Sequence, residues 1–134
     1  MKAKALRLSL KKKWFDMTKA GIKTEDYREL NEYWVNRLFY HMESKLTKEE
    51  IVRYITNYKY YGYVEIAAIF TYHDLSFKSF THNIMTLGYP SNSDTERILK
   101  LEHKGIEIQT GNPEWGAEPN KLYFVILHGN NLTA

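Results

Sequence analysis

Leu6, Leu8 and Leu10 alternate with Arg7, Ser9 and Lys11, the period-2 pattern of a strand with one buried face. The period then changes. Leu10, Trp14 and Met17 recur at helical spacing through Ala20, and Gly21 stands where a left-handed cap ends a helix. Lys23 to Arg28 suits extended backbone, and after Leu30 the pairs Trp34/Leu38 and Val35/Phe39 lie one helical turn apart and predict a second helix. Thr47 with Glu50 forms a capping-box signature ahead of Ile51, Tyr54, Ile55 and Tyr58 on one helical face. Downstream the pattern is that of strands: alternation at Val64, Ile66, Ala68 and Phe70, then Ile98 to Leu101, then Ile106, Ile108 and Thr110, then Leu122 to Leu127. Turn-rich stretches at Gly88-Tyr89-Pro90-Ser91-Asn92-Ser93 and Gly111-Asn112-Pro113-Glu114-Trp115-Gly116 are the longest loop signals. Helices early and strands late predict an α+β fold built on a small, largely antiparallel β-barrel.

Size and composition narrow this picture. The 134 residues suit one domain with one core, spanning 1–134. At 43% apolar and 26% charged residues, the chain has enough apolar surface to fold without help. No run approaches the roughly 18 apolar residues of a membrane helix, and the start at Met1-Lys2-Ala3-Lys4 lacks a signal-peptide core, so a cytoplasmic protein is expected. The absence of cysteine excludes disulfides, thiolate metal sites and a cysteine nucleophile. His41, His73, His82, His103 and His128 show no metal-ligand spacing with carboxylates, and no metal or cofactor is expected. There is no phosphate-binding glycine loop and no serine elbow. The net charge of +3 is mild, but Lys2, Lys4, Arg7, Lys11, Lys12, Lys13 and Lys19 face only Asp16 near the N-terminus. That local field favours a phosphate-bearing ligand, although a triple lysine also serves simply to solvate a helix turn.

The basic segment leads into Gly21-Ile22-Lys23-Thr24-Glu25-Asp26-Tyr27-Arg28. In one regular strand Asp26 and Arg28 would share a face while Lys23 pointed away. A bulge or turn near Thr24 would bring Lys23 round to join them in a cleft of two cations and one carboxylate, suited to an anionic or hydrogen-bonding ligand. The alternative is a structural ion pair between Asp26 and Arg28 with Lys23 in water.

The octet Gly21-x-Lys23-x-x-Asp26-x-Arg28 resembles the Gly-x-Lys-x-x-Glu-x-Arg signature of ASCH domains, relatives of the PUA domain of RNA-modifying enzymes. Three further stretches are similar to short bacterial and phage ASCH proteins: Leu8 to Met17 before the octet, Tyr33-Trp34 with Arg37-Leu38 after it, and Gly105-Ile106 with Gly111 to Ala117 later. The resemblance covers roughly residues 5–38 and 80–128, leaving 40–77 as a helical insertion. It implies a PUA-like β-barrel with flanking helices, a cleft lined by the signature, and RNA binding or hydrolysis of modified nucleosides or RNA. Asp26 stands where the signature has Glu, keeping the carboxylate with a shorter reach. Small ASCH amidohydrolases, which remove an acyl group from the cytosine amine, resemble the chain at Lys23 but have Thr at the position of Asp26.

Charge logic ranks binding above catalysis. For Lys23 to act as a base its pKa must fall, which burial and Arg28 promote and Asp26 opposes. A charged Lys23 beside Arg28 suits holding a phosphate or carbonyl. Lys23 and Asp26 are the catalytic candidates if the chain is an enzyme, with Asp26 taking a proton while the cations stabilise the developing anion. Binding of RNA, a nucleoside or a nucleotide would use Lys13, Trp14, Lys23, Asp26, Arg28, Tyr89 and Trp115. Trp115 is placed to stack a base, or else to cap the open barrel end. The run Tyr58-Lys59-Tyr60-Tyr61-Gly62-Tyr63 offers either a stacking platform or core packing. A third reading is a protein-interaction module with 40–77 as its contact surface.

Overall fold

The computed structural model describes residues 4–40, 45–57 and 67–133. Strand β1 (Leu6–Leu10) leads into helix α1 (Lys12–Lys19), strand β2 (Glu25–Arg28), helix α2 (Glu32–Leu38) and the short strand β3 (Phe39–Tyr40). Helix α3 (Lys48–Thr56), strands β4 (Ser76–Phe77) and β5 (Asn83–Leu87), and the long strands β6 (Ile98–Thr110) and β7 (Leu122–Asn131) follow. Five strands form one sheet in the order β1-β5-β6-β7-β2, which curls into a half-barrel. The β1–β5 pair is parallel and the other pairs are antiparallel. The fold is thus α+β, as expected, with a barrel-like sheet that stays open between β1 and β2 among the described residues.

Alternation predicts β1 because every second residue is leucine, and Leu6, Leu8 and Leu10 are all buried. They pack with Met85, Leu99, Leu101, Phe124 and Ile126 of the same sheet and with Val35 and Leu38 of α2 and Ile51 and Ile55 of α3. The capping box foreseen at Thr47 is formed: its hydroxyl accepts from the Glu50 amide at 3.1 Å and the Glu50 carboxylate accepts from the Thr47 amide at 3.0 Å. Within 40–77, Phe70 and Phe77 bring the segment onto the core through Phe39, at ring distances of 5.5 and 4.5 Å. Among the described residues no helix is long and apolar enough to cross a membrane.

Several expectations are corrected. The alternation around Ala68 and Phe70 predicts a strand, yet residues 67–72 are helical, and Val64 and Ile66 lie outside the described residues. Ala67 and Ala68 are strong helix formers, the Thr71 hydroxyl donates to Ala67 O, and so short an apolar run fits either period. Phe39, assigned to the second helix, is extended at φ −101°, ψ 144° and begins β3. Ile98–Leu101 and Ile106–Thr110 are two parts of the single strand β6, whose register against β7 shifts between Leu101, His103 and Gly105. Strand β5 has no clean alternation in NIMTL and went unforeseen. The tyrosine run 58–63 lies outside the described residues.

Candidate functional site

The open seam of the half-barrel is a cleft of about 440 Å³. Ser9 and Leu10 of β1 and Trp14 of α1 form one side, Asp26, Tyr27 and Arg28 of β2 the other, and the loop carrying Trp115 and Gly116 closes one end. Helix α1 ends as its glycine predicts. Gly21 has φ +77°, and the amides of Ile22 and Lys23 both reach back to Met17 O, at 3.0 and 3.1 Å. This turn leaves Lys23 outside the regular strand and points it inward. Its Nζ donates to Glu25 O at 2.5 Å and to Asp26 Oδ1.

Lys23 and Asp26 are both buried, at 3% and 2% exposure, so their charges are fixed by one another and not by water. Asp26 lies opposite Ile126 of β7. His128, two residues further along β7, points to the same face and places Nε2 2.6 Å from Asp26 Oδ2. A carboxylate can only accept, so the His128 proton sits on Nε2. Nδ1 then accepts from Asn83 Nδ2 at 2.7 Å, and Asn83 Oδ1 accepts from His103 Nδ1 at 2.8 Å. Donors from Lys23 and from the His103–Asn83–His128 chain thus all run toward Asp26.

This arrangement sets the ionisation. Burial tends to raise the Asp26 carboxyl, but the hydrogen bond from His128 and the Lys23 charge outweigh it and hold it below the usual range. For Lys23 burial is the larger influence, and it lowers the ammonium pKa despite the attraction of Asp26. Burial also lowers the His103 imidazole, helped by His128. Burial likewise pushes the Tyr27 phenol up to about 12.

Tyr27 ties the octet to the later Gly111–Ala117 stretch. Its hydroxyl accepts from the Asn112 amide at 2.9 Å, and the Asn112 side chain accepts from the Glu114 amide, shaping the 3-10 turn Pro113–Trp115. Gly116 follows at φ +100°, with its Cβ position 2.9 Å from the Trp14 ring, so only glycine lets the Trp115 loop close onto α1. Trp14, Tyr27, Trp115 and Tyr123 thereby surround the polar floor with aromatic rings.

The sequence-derived residues sort clearly. Trp14, Lys23, Asp26, Arg28 and Trp115 line this cleft. Lys13 does not; its Nζ lies 4.8 Å from the Trp14 ring centroid. Tyr89 lies on a different groove beyond Arg28. The alternative of an Asp26–Arg28 ion pair with Lys23 in water is corrected: Asp26 pairs with Lys23 and His128. Arg28 instead donates to Tyr27 O at 2.8 Å and Ser9 O at 3.3 Å, bridging the two edges of the seam. Trp34 packs against the core but also carries the Arg28 guanidinium 5.3 Å from its ring.

Sequence reasoning missed His128, Asn83 and His103. The available signal was that His128 continues the Phe124, Ile126 spacing of β7; nothing local marks Asn83. Lys23 spends two N–H groups on Asp26 and Glu25 O, and its third has no protein acceptor among the described residues. The cleft therefore offers a buried ammonium donor and a guanidinium between aromatic walls, a combination suited to a flat ligand with carbonyl or phosphate oxygens. Comparison with protein-family models, with curated proteins and with solved structures finds no match to the chain.

Proposed function

We propose that this chain is an ASCH-like domain of the PUA-related kind, and that its cleft binds the nucleoside unit of RNA or of a free nucleotide-like ligand. The observation that carries this reading is the unspent N–H of buried Lys23 at the floor of a cleft walled by Trp14, Tyr27, Trp115 and Tyr123. A nucleobase supplies a flat π-face for such walls and carbonyl oxygens for such a floor. Two features of the fold support the resemblance without depending on it. The octet and the Gly111–Ala117 stretch meet at one cleft through the Tyr27–Asn112 hydrogen bond, and that cleft opens a curled, barrel-like sheet. Asp26, shorter than the Glu of the signature, still reaches Lys23 and His128.

Calorimetric titration with nucleosides, nucleotides and short single-stranded RNA tests the reading. Loss of a stacking ring is worth about 1–3 kcal/mol per base, so Trp115→Ala weakens binding about fivefold or more. Lys23→Met, which keeps the stem and removes the donor, weakens it further. Undetectable binding of every such ligand by the native protein, or affinities indifferent to both substitutions, would sink the proposal.

A second reading, hydrolysis of an acylated nucleoside or of RNA, draws support from one observation: burial lowers the Lys23 pKa beside an Asp26–His128 pair. A lysine that loses its proton more readily can serve as a base or nucleophile, with Asp26 and His128 holding it in place. Mass analysis of modified nucleosides and RNA after incubation distinguishes this from binding. Hydrolysis predicts products that disappear in Lys23→Arg; unchanged substrates rule it out.

A further inference from the structure

A second groove, of about 460 Å³, begins where the cleft ends. Arg7 of β1, Arg28 of β2 and Arg37 of α2 line it together with Tyr33, Trp34 and Tyr89. Ser9 and Arg28 line both depressions, so the two lie side by side and meet at the Arg28–Ser9 hydrogen bond.

The charge of this groove is one-sided. No carboxylate is among the described residues that line it, and none of the three arginines forms an ion pair with a described residue. Among the described residues the hydrogen-bond partners of Arg37 and Arg28 are backbone carbonyls: Arg37 Nη2 donates to Arg7 O at 3.1 Å, and Arg28 to Tyr27 O and Ser9 O. A guanidinium has five N–H donors, so both keep donors unspent, and Asp26 offsets the charge of Arg28 only through space, without an ion-pair contact. Stacking holds them in place, with Arg37 and Arg28 at 4.8 and 5.3 Å from the Trp34 ring.

The aromatic content is equally one-sided. Tyr89 is 96% exposed and Tyr33 62% exposed, among the few large hydrophobic side chains facing solvent in the described residues. Both stand on the arginine groove. Cations with no ion-pair partner among the described residues, interleaved with exposed rings, are what a strand of phosphates and bases requires. An acidic peptide would use the arginines and leave the rings without a purpose.

We propose that this groove is a phosphodiester track, which takes the phosphate and the adjacent nucleotide of a chain whose neighbouring base occupies the cleft. Arg28 is the junction, and the ligand is a single-stranded oligonucleotide of at least two nucleotides and not a free nucleoside. The proposal rests on the nucleoside-binding reading of the cleft and adds the ligand class to it.

Binding is measured with the full chain against a nucleoside, its 5′-phosphate, a dinucleotide and a longer single strand, each across a salt series. The expected result is an affinity rising about fivefold or more from nucleoside to dinucleotide, the size of one stacked base. Arg7→Gln and Arg37→Gln each reduce the log–log salt slope for the single strand by about 0.7. Tyr89→Ala lowers the single-strand affinity relative to the nucleoside affinity about tenfold. Arg7 and Tyr89 are exposed, so these variants fold even if Arg37→Gln disturbs Trp34. Single-strand binding that Trp115→Ala abolishes, but that Arg7→Gln and Tyr89→Ala leave unchanged in affinity and slope, overturns the track and leaves the cleft reading standing. No binding of any of the four ligands overturns both. Binding of polyglutamate that depends on Arg7, with no binding of the single strand, overturns the track in favour of an acidic protein partner.

Discussion

Phe124 and Ile126 on β7 belong to the apolar core, while His128, next on the same face of that strand, belongs to a buried polar network. Across from them on β2, Arg28 faces Phe124 and Asp26 faces Ile126. One face of one sheet thus has two halves under different rules. In the apolar half, stability comes from burial and close packing, which are non-directional and are shared among many contacts. In the polar half each group depends on one or two partners at hydrogen-bond distance, and loss of one partner leaves another charge or donor buried without compensation. Such groups are difficult to retain for stability alone, which is why the polar half beneath the cleft is where function is assigned.

The sharpest way to break this comparison is Asp26→Ala. It removes the acceptor of both Lys23 and His128 and should cost about 3–5 kcal/mol, read as a lowered midpoint in urea unfolding. A loss no larger than that of a conservative core change would mean that water or a rearrangement satisfies Lys23 and His128, and that the network is less constrained than its geometry implies.

Acidification separates the halves without mutation, because only the polar half titrates. His103 has a folded pKa lowered from 6.5, so the unfolded chain takes up its proton first and stability falls as pH drops from 6.5 toward the folded value. Asp26, lowered from 3.8, adds a second loss as pH falls below 3.8 through its folded value. Lys23, lowered from 10.5, has the same sign: stability rises with pH through the window between its folded value and 10.5. Unfolding midpoints across pH should therefore climb from acid toward alkali in these windows. His103→Gln should flatten the step just below 6.5, and an unaltered step in that variant would assign it elsewhere.

The smallest effect is expected in the apolar half. Ile126→Val, directly opposite Asp26 in the sheet, removes one buried methylene and should cost about 0.5–1.5 kcal/mol, leaving the pH dependence unchanged. If the pH profile shifted as well, the two halves would be coupled through β7 and not independent.

Much of the fold was legible because it follows local rules. The leucine alternation of β1, the glycine that ends α1 and the Thr47–Glu50 capping box each involve residues close in sequence. The errors arose where local rules were ambiguous or silent. Residues 67–72 satisfied both periods over a short span, and β5 is buried at Asn83, Met85 and Thr86, so it lacks the alternation of a half-exposed strand. At the cleft, the spacing of Lys23, Asp26 and Arg28 allows a convergence only if the chain turns near Thr24 and otherwise favours an Asp26–Arg28 ion pair with Lys23 in water; the structure makes the turn and pairs Asp26 with Lys23 and His128 instead.

The sequence alone determined the elements that deliver the octet to one place: a helix that stops at Gly21, a turn, and a short strand with Asp26 and Arg28 on one face. Only the tertiary structure decided what the octet became. Asp26 meets His128 across 102 positions of chain and His128 meets Asn83 across 45, contacts that depend on which strands become neighbours. The same neighbour relations set Arg28 between β1 and β2, at the junction of cleft and groove. Periodicity is a property of adjacent residues and survives in a linear string. Strand order is settled by the packing of the whole chain, and with it the partner of every buried charge.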